Sequence, residues 1–425
     1  MKYYPARLAA SVILALTALT PACSSPVGPQ QTASAPAPSD KPVYLDTSLD
    51  FETRAEDLVS RMTLEEKVSQ MLDRAPAVER LGVPEYNWWN EALHGVARSG
   101  LATVFPQAIG LAATWDDSLI HRMATVISDE ARAKHHEYVR RGRRLRYQGL
   151  TMWSPNINLF RDPRWGRGME TYGEDPHLTG RLGVAFVRGL QGDDPDYLKT
   201  VATVKHFAVH SGPEPERHVF DAVVDERDFR ETYLPHFEAG IREGGAYSLM
   251  CAYNRVNGEA ACGSAFLLQD VLRDAWGFDG FVVSDCWAID DIVDNHKLVG
   301  TEAEAAALAV KSGTDLDCGS SVYPHLVDAV AQGLISEAEI DQAVRRLFRG
   351  RFRLGMFDPP ERVAYARGYG GQHVVTRLNC RLYYDSPQSA VSCLSDAAML
   401  NPSQVKSVTV PQFHDTRSRG TPRGA

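Results

Sequence analysis

Between positions 44 and 357, short runs of β-branched and aromatic residues alternate with amphipathic stretches at helical spacing. The spacing predicts helices over 56–71, 116–134, 179–190, 228–243, 266–276 and 301–312. Thr63-Leu64-Glu65-Glu66 reads as a helix start inside the first of these, and 327–333 and 336–351 read as the last helices. Strand-like runs fall between them, at 151–155, 203–207, 247–253, the segment ending on Asp285, and 315–317. Such alternation over roughly 300 residues predicts an α/β fold with a parallel sheet, and the length suits a (β/α)8 TIM-type barrel forming a single folded domain, 44–365.

Polar clusters sit where the apolar runs end. Asp285 closes Gly277-Phe278-Asp279-Gly280-Phe281-Val282-Val283-Ser284-Asp285, at the strand end where barrel enzymes keep their chemistry. Alone it reads equally well as a cap for a following helix. Trp88-Trp89-Asn90-Glu91, the run 158–174, Lys205-His206 and Tyr253-Asn254 occupy corresponding places. A charged group beside a buried strand needs a partner, so several such clusters at successive strand ends predict a shared site.

Composition narrows the choice. A formal charge of −9, with no basic stripe noted in the body of the chain, argues against a nucleic-acid partner. At the N-terminus, Lys2 and Arg7 precede an apolar stretch at 8–19, and Cys23 follows Leu19-Thr20-Pro21-Ala22. This predicts a signal peptide over 1–23 of lipoprotein type, with Thr20 departing from the usual pattern and ordinary signal cleavage as the alternative. Export to the periplasm, or anchoring at the outer membrane through a lipidated Cys23, follows from that reading. Residues 24–43 form a Pro/Ser/Ala-rich linker. Beyond 366 the periodicity is lost, and 366–425 reads as a truncated or frame-shifted, unstructured tail. The cysteines lack C-x-x-C spacing, so no metal site or cofactor is expected. Cys286 and Cys318 each follow an Asp, and could pair or remain buried thiols.

The quoted stretches resemble glycoside hydrolase family 3, the β-glucosidase and β-xylosidase type. They include Trp88-Trp89-Asn90-Glu91-Ala92-Leu93-His94-Gly95, Arg161-Asp162-Pro163-Arg164-Trp165-Gly166-Arg167-Gly168, Val204-Lys205-His206-Phe207, Met250-Cys251-Ala252-Tyr253-Asn254 and Val282-Val283-Ser284-Asp285, in family order. The resemblance implies that Asp285 is a catalytic nucleophile and that Glu91, Arg167, Lys205, His206 and Tyr253 bind substrate. Arg167 could instead hold a structural ion pair with Glu170 or Glu174, and His206 or Tyr253 could be core residues. The resemblance also implies a Cys251–Cys262 bridge, seen in some family members.

Retaining glycosidases need two carboxyl groups about 5–5.5 Å apart, one a nucleophile and one an acid/base. Two-domain relatives take the acid/base from a second domain; single-domain relatives use a loop His at an offset from Lys205 that lands here on His218, with Glu216 two residues before it. The rest of that loop pattern is absent, and two-domain members also carry Arg-His here, so a structural role for Arg217 and His218 is the favoured reading. Glu91 stands where glucosidases of the family commonly carry Asp, and Cys286 where many carry Trp, so both lean toward a pentose. The expected function is an exo-acting retaining β-glycosidase acting on terminal β-D-xylosyl or β-D-glucosyl residues, impaired by loss of its acid/base domain. The competing reading is a carbohydrate-binding remnant without turnover.

Overall fold

The computed structural model describes residues 42–366. The expected signal segment with Cys23, the linker up to 41 and the tail beyond 366 lie outside the described residues. The strands are β1 (Arg74–Ala75), β2 (Tyr86–Asn87), β3 (Thr151–Met152), β4 (Val201–Phe207), β5 (Asp221–Ala222), β6 (Ser248–Cys251), β7 (Arg255–Val256), β8 (Glu259–Ala260) and β9 (Phe281–Ser284). The central sheet runs β3-β4-β6-β9, all parallel, and β4, β6 and β9 are buried along their whole length. Burial on both faces explains their continuous apolar sequence.

Pairing continues past both ends of this sheet. Val283 pairs with Leu316 in parallel, and Asp317 with Leu72; on the other flank Asn90 pairs with Met152. Trp88 N–H donates to Asp73 O at 2.9 Å, next to the antiparallel β1–β2 pair, so the series returns to its starting segment. Trp88 fills the space between, edge-on to Phe281 at 5.2 Å and to Tyr86 at 5.0 Å.

Helices cover the sheet, and their ends carry the side chains that the sequence signals promised. Phe51–Ser60 and Leu64–Gln70 are separate helices, the second opened by a capping box between Thr63 and Glu66. Asp116 caps Asp117–Arg140, Asp175 caps Pro176–Gln191, and Ser336 with Glu339 boxes Glu337–Arg353. The two long helices approach closely at Gly189, where an added Cβ would lie 2.5 Å from His121 O. Besides the expected 56–71 helix, which is divided at Thr63, a second expected helix is broken. Over 228–243 the chain forms a wide turn at Phe229–Tyr233 and restarts as Pro235–Arg242, because Pro235 has no N–H for a continuous ladder but suits a first turn.

Both permitted cysteine pairs are bridged, Cys251–Cys262 and Cys286–Cys318. Asp315, grouped in sequence with the strand-end residues, has a different task. Its buried carboxylate accepts from Arg273 and Arg346, each at 2.9 Å, and from Val282 N–H at 2.8 Å. It ties the last long helix to β9. Asp315→Ala should lower unfolding free energy by about 3–5 kcal/mol, since it strands buried guanidinium groups. A urea titration showing less than about 1 kcal/mol lost would mean that the network contributes little.

Candidate active site

The parallel register puts the end of each strand at one edge of the sheet, and the polar clusters meet there. Cys251 pairs with Ser284, so the next residue, Asp285, donates its N–H to Cys251 O at 3.1 Å. Asp285 Oδ1 accepts from Cys286 N–H at 2.8 Å. The helix that follows starts only at Asp290, so Asp285 does not cap it. Cys286 is bridged to Cys318, whose N–H donates to Ser284 Oγ at 2.9 Å, fixing the residues beside the carboxylate.

His206 faces Asp285, with Nε2 3.4 Å from Oδ2. This is not an ion pair. Asn158 Oδ1 accepts from both His206 N–H and Nδ1, each at 2.8 Å, and Asn158 Nδ2 donates to His206 O at 2.8 Å. That clamp leaves Nε2 as the acceptor, and Arg167 Nη1 donates to it at 3.1 Å. Burial, with Arg167 beside it, holds the imidazole pKa well below its ordinary value, so His206 is neutral.

Arg167 makes a fork to Glu170, with Nε–Oε1 at 2.9 Å and Nη2–Oε2 at 2.7 Å. Burial works against its charge, but Glu170 and Asp285 more than offset that and keep it protonated. The two readings of Arg167, ion pair and site residue, are therefore compatible. Lys205 is 3% exposed; burial pulls its pKa below the usual ammonium range while Glu91, Glu170 and Asp285 pull it up.

Asp285 itself is pushed above the usual carboxylate range by burial, against Arg167, Lys205, the Cys286 N–H and Tyr253. Tyr253 stays protonated, its pKa raised by burial and by the neighbouring Asp285 charge. Its pull on the carboxyl falls short of a well-formed hydrogen bond to Oδ2, which has no hydrogen-bond partner among the described residues. Oδ1 is held; Oδ2 is the atom with an unengaged lone pair.

Glu91 lies in a loop, outside any helix. Trp89 Nε1 donates to its Oε1 at 2.9 Å, and the Trp89 ring stacks on Trp153 with centroids 5.3 Å apart. His218 and Glu216 do not form the expected dyad. His218 Nδ1 bonds Asp291 Oδ2 at 2.8 Å, while Glu216 is exposed and makes no side-chain hydrogen bond to His218 among the described residues. The His218 ring stands 4.6 Å from that of Tyr253, which connects it to the Asp285 cluster. Sequence reasoning did not reach Asp291, which lies in no strand-end run; its proximity to His218 is a product of tertiary folding alone.

A family model for the glycosyl hydrolase family 3 N-terminal domain matches residues 53–349. The chain belongs to glycosyl hydrolase family 3. Among curated proteins, this family 3 chain is 46% identical over 329 residues to xylan 1,4-beta-xylosidase of Xylanibacter ruminicola, covering 76% of this chain and 38% of that one. It is 41% identical to probable beta-D-xylosidase 7 of Arabidopsis thaliana, with 85% and 49% covered. Among solved structures, a family 3 exo-β-xylosidase in complex with a xylobiose aziridine activity-based probe superposes with a TM-score of 0.74 at 36% identity, covering 80% of this chain and 45% of that one. The β-glucosidase EmGH1 from Erythrobacter marinus gives 0.69 at 29% identity, with 80% and 50% covered. This family 3 chain thus spans half or less of the length of each of these relatives.

Proposed function

We propose that this chain carries the nucleophile half of a retaining β-glycosidase that removes terminal β-D-xylosyl or β-D-glucosyl residues from oligosaccharides. The observation that carries the reading is the buried Asp285, with Oδ1 held by Cys286 N–H and Oδ2 unengaged beside Arg167, Lys205 and a neutral His206. In this reading Oδ2 attacks the anomeric carbon and the glycosidic C–O bond breaks. The departing oxygen takes a proton, and water later releases the sugar from the ester. The circuit of pairings from Leu72 around to Trp88 supports a TIM-type barrel as the frame.

Xylose is the favoured sugar. Glu91 is one methylene longer than Asp and is fixed by Trp89, which limits the room for a hydroxymethyl group. The names of the two curated relatives, both xylosidases, agree. The test is hydrolysis of nitrophenyl β-xyloside and β-glucoside by the full chain. Turnover should vanish in Asp285→Ala, and Glu91→Asp should move selectivity toward the glucoside by about 10–200-fold, the discrimination expected of one methylene. Turnover persisting in Asp285→Ala would remove the nucleophile assignment. A protein that binds xylosides but never turns over, and whose Asp285 takes no covalent label from an aziridine probe, would be the binding remnant instead.

His218, oriented by Asp291, is the acid/base candidate of this reading. His218→Gln should slow xylosides with poor leaving groups by about 10²–10⁴-fold and activated aryl xylosides far less. Equal effects on both would leave it a structural residue.

The raised pKa of Asp285 sets the acid side of the pH profile. The nucleophile acts ionised, so kcat/KM should fall as pH drops through a value above the ordinary Asp figure of about 3.9. Arg167→Met removes a cation that lowers that pKa, so the limb should move to higher pH. Movement to lower pH in that variant would contradict the assignment.

A further inference from the structure

Away from Asp285, the segment Arg140-Arg141-Gly142-Arg143-Arg144-Leu145-Arg146 puts five arginines into seven residues of an acidic chain. The net charge conceals this basic run. Arg140 and Arg141 both pair with Glu137 on the surface. Arg144 and Arg146 have no carboxylate within ion-pair distance among the described residues. Arg144 is half-buried, and Glu85 attracts it without a hydrogen bond. Arg146 lies with its guanidinium 4.1 Å from the Trp89 ring centroid, and its buried Nε has no hydrogen-bond partner.

Both line a cavity of about 450 Å³ together with Arg74, Glu85 and Asn87. That volume is in the range of small-molecule sites. Three guanidinium groups face one carboxylate there, so the lining keeps excess positive charge that a neutral sugar would leave uncompensated. Guanidinium forks match a planar carboxylate, which takes two parallel N–H donors. One lining residue also leads toward the sugar site: Arg146 rests on Trp89, whose indole nitrogen donates to Glu91 at 2.9 Å.

We propose that this cavity, lined by Arg74, Arg144 and the Trp89-stacked Arg146, binds the carboxylate of an anionic sugar, a uronic acid. The sugar acid is either a branch on the oligosaccharide substrate or free in solution. The branch form rests on the β-glycosidase reading; the free form does not.

Calorimetric titration of the full chain with glucuronate, glucose and inorganic phosphate tests the site. Glucuronate should bind saturably and at least about tenfold tighter than either of the others. Arg144→Gln, and separately the exposed Arg74→Gln, should each weaken glucuronate by about tenfold or more with the thermal transition unchanged. Glucose binding as tightly as glucuronate would overturn the proposal. So would phosphate binding as tightly, which marks a plain charged patch, or glucuronate affinity untouched in both variants.

Hydrolysis separates the sources. Slower cleavage by Arg144→Gln of a glucuronate-bearing xylotriose, with unbranched xylotriose unaffected, identifies a substrate branch. Unchanged rates on both, with free glucuronate affinity lost, identify the free acid. Parallel loss on both substrates with a lowered thermal transition means that Arg144 is structural and overturns the site. A wild-type chain that cleaves no xyloside sinks the glycosidase reading and leaves the titration result standing.

Discussion

Everything at the site depends on backbone register between parallel strands. Val204 sits opposite Leu249 and Leu249 opposite Val282, so the residues that follow these strands emerge at one level. Without that alignment, Lys205, Tyr253 and Asp285 would be scattered polar residues, each with a burial cost of its own. With it, the cost is shared, because each charge lies in the field of the others. A register slip of one residue would turn every one of them to the opposite face.

The buried groups at this edge are arranged by sign. Arg167 and Lys205 carry positive charge, Glu91, Glu170 and Asp285 negative, and His206 is held neutral by burial and by the neighbouring Arg167, with Asn158 fixing its tautomer. A neutral imidazole matters because an imidazolium there would be a second cation beside the Arg167 guanidinium and would repel it. The bridge between Cys286 and Cys318 adds a covalent restraint on the one N–H that holds Asp285 Oδ1.

Much of this was legible in the chain. Helix starts at Thr63, Asp116 and Ser336 follow from local chemistry and appear where that chemistry puts them. The strand-end clusters were readable because period and composition change together there. What was not readable depends on neighbours remote in sequence. His218 finds its partner 73 positions away in Asp291, where the resemblance to single-domain relatives pointed to Glu216. Asp315 looks like its neighbour Asp317 but braces a helix. The arginines at 140–146 gain a meaning only when Trp89 and Arg74 are brought to them.

Glu170 illustrates a wider property of the design. Its fork to Arg167 takes two of that guanidinium's donors, and the remaining nitrogen Nη1 reaches His206. A residue with no hydrogen bond to the Asp285 carboxylate thus governs how much positive charge reaches it. For anyone reshaping the working range of this protein, Glu170 is a dial set one shell back from the chemistry. Variation there adjusts the acidity of Asp285 while leaving the shape of the surrounding edge to other residues.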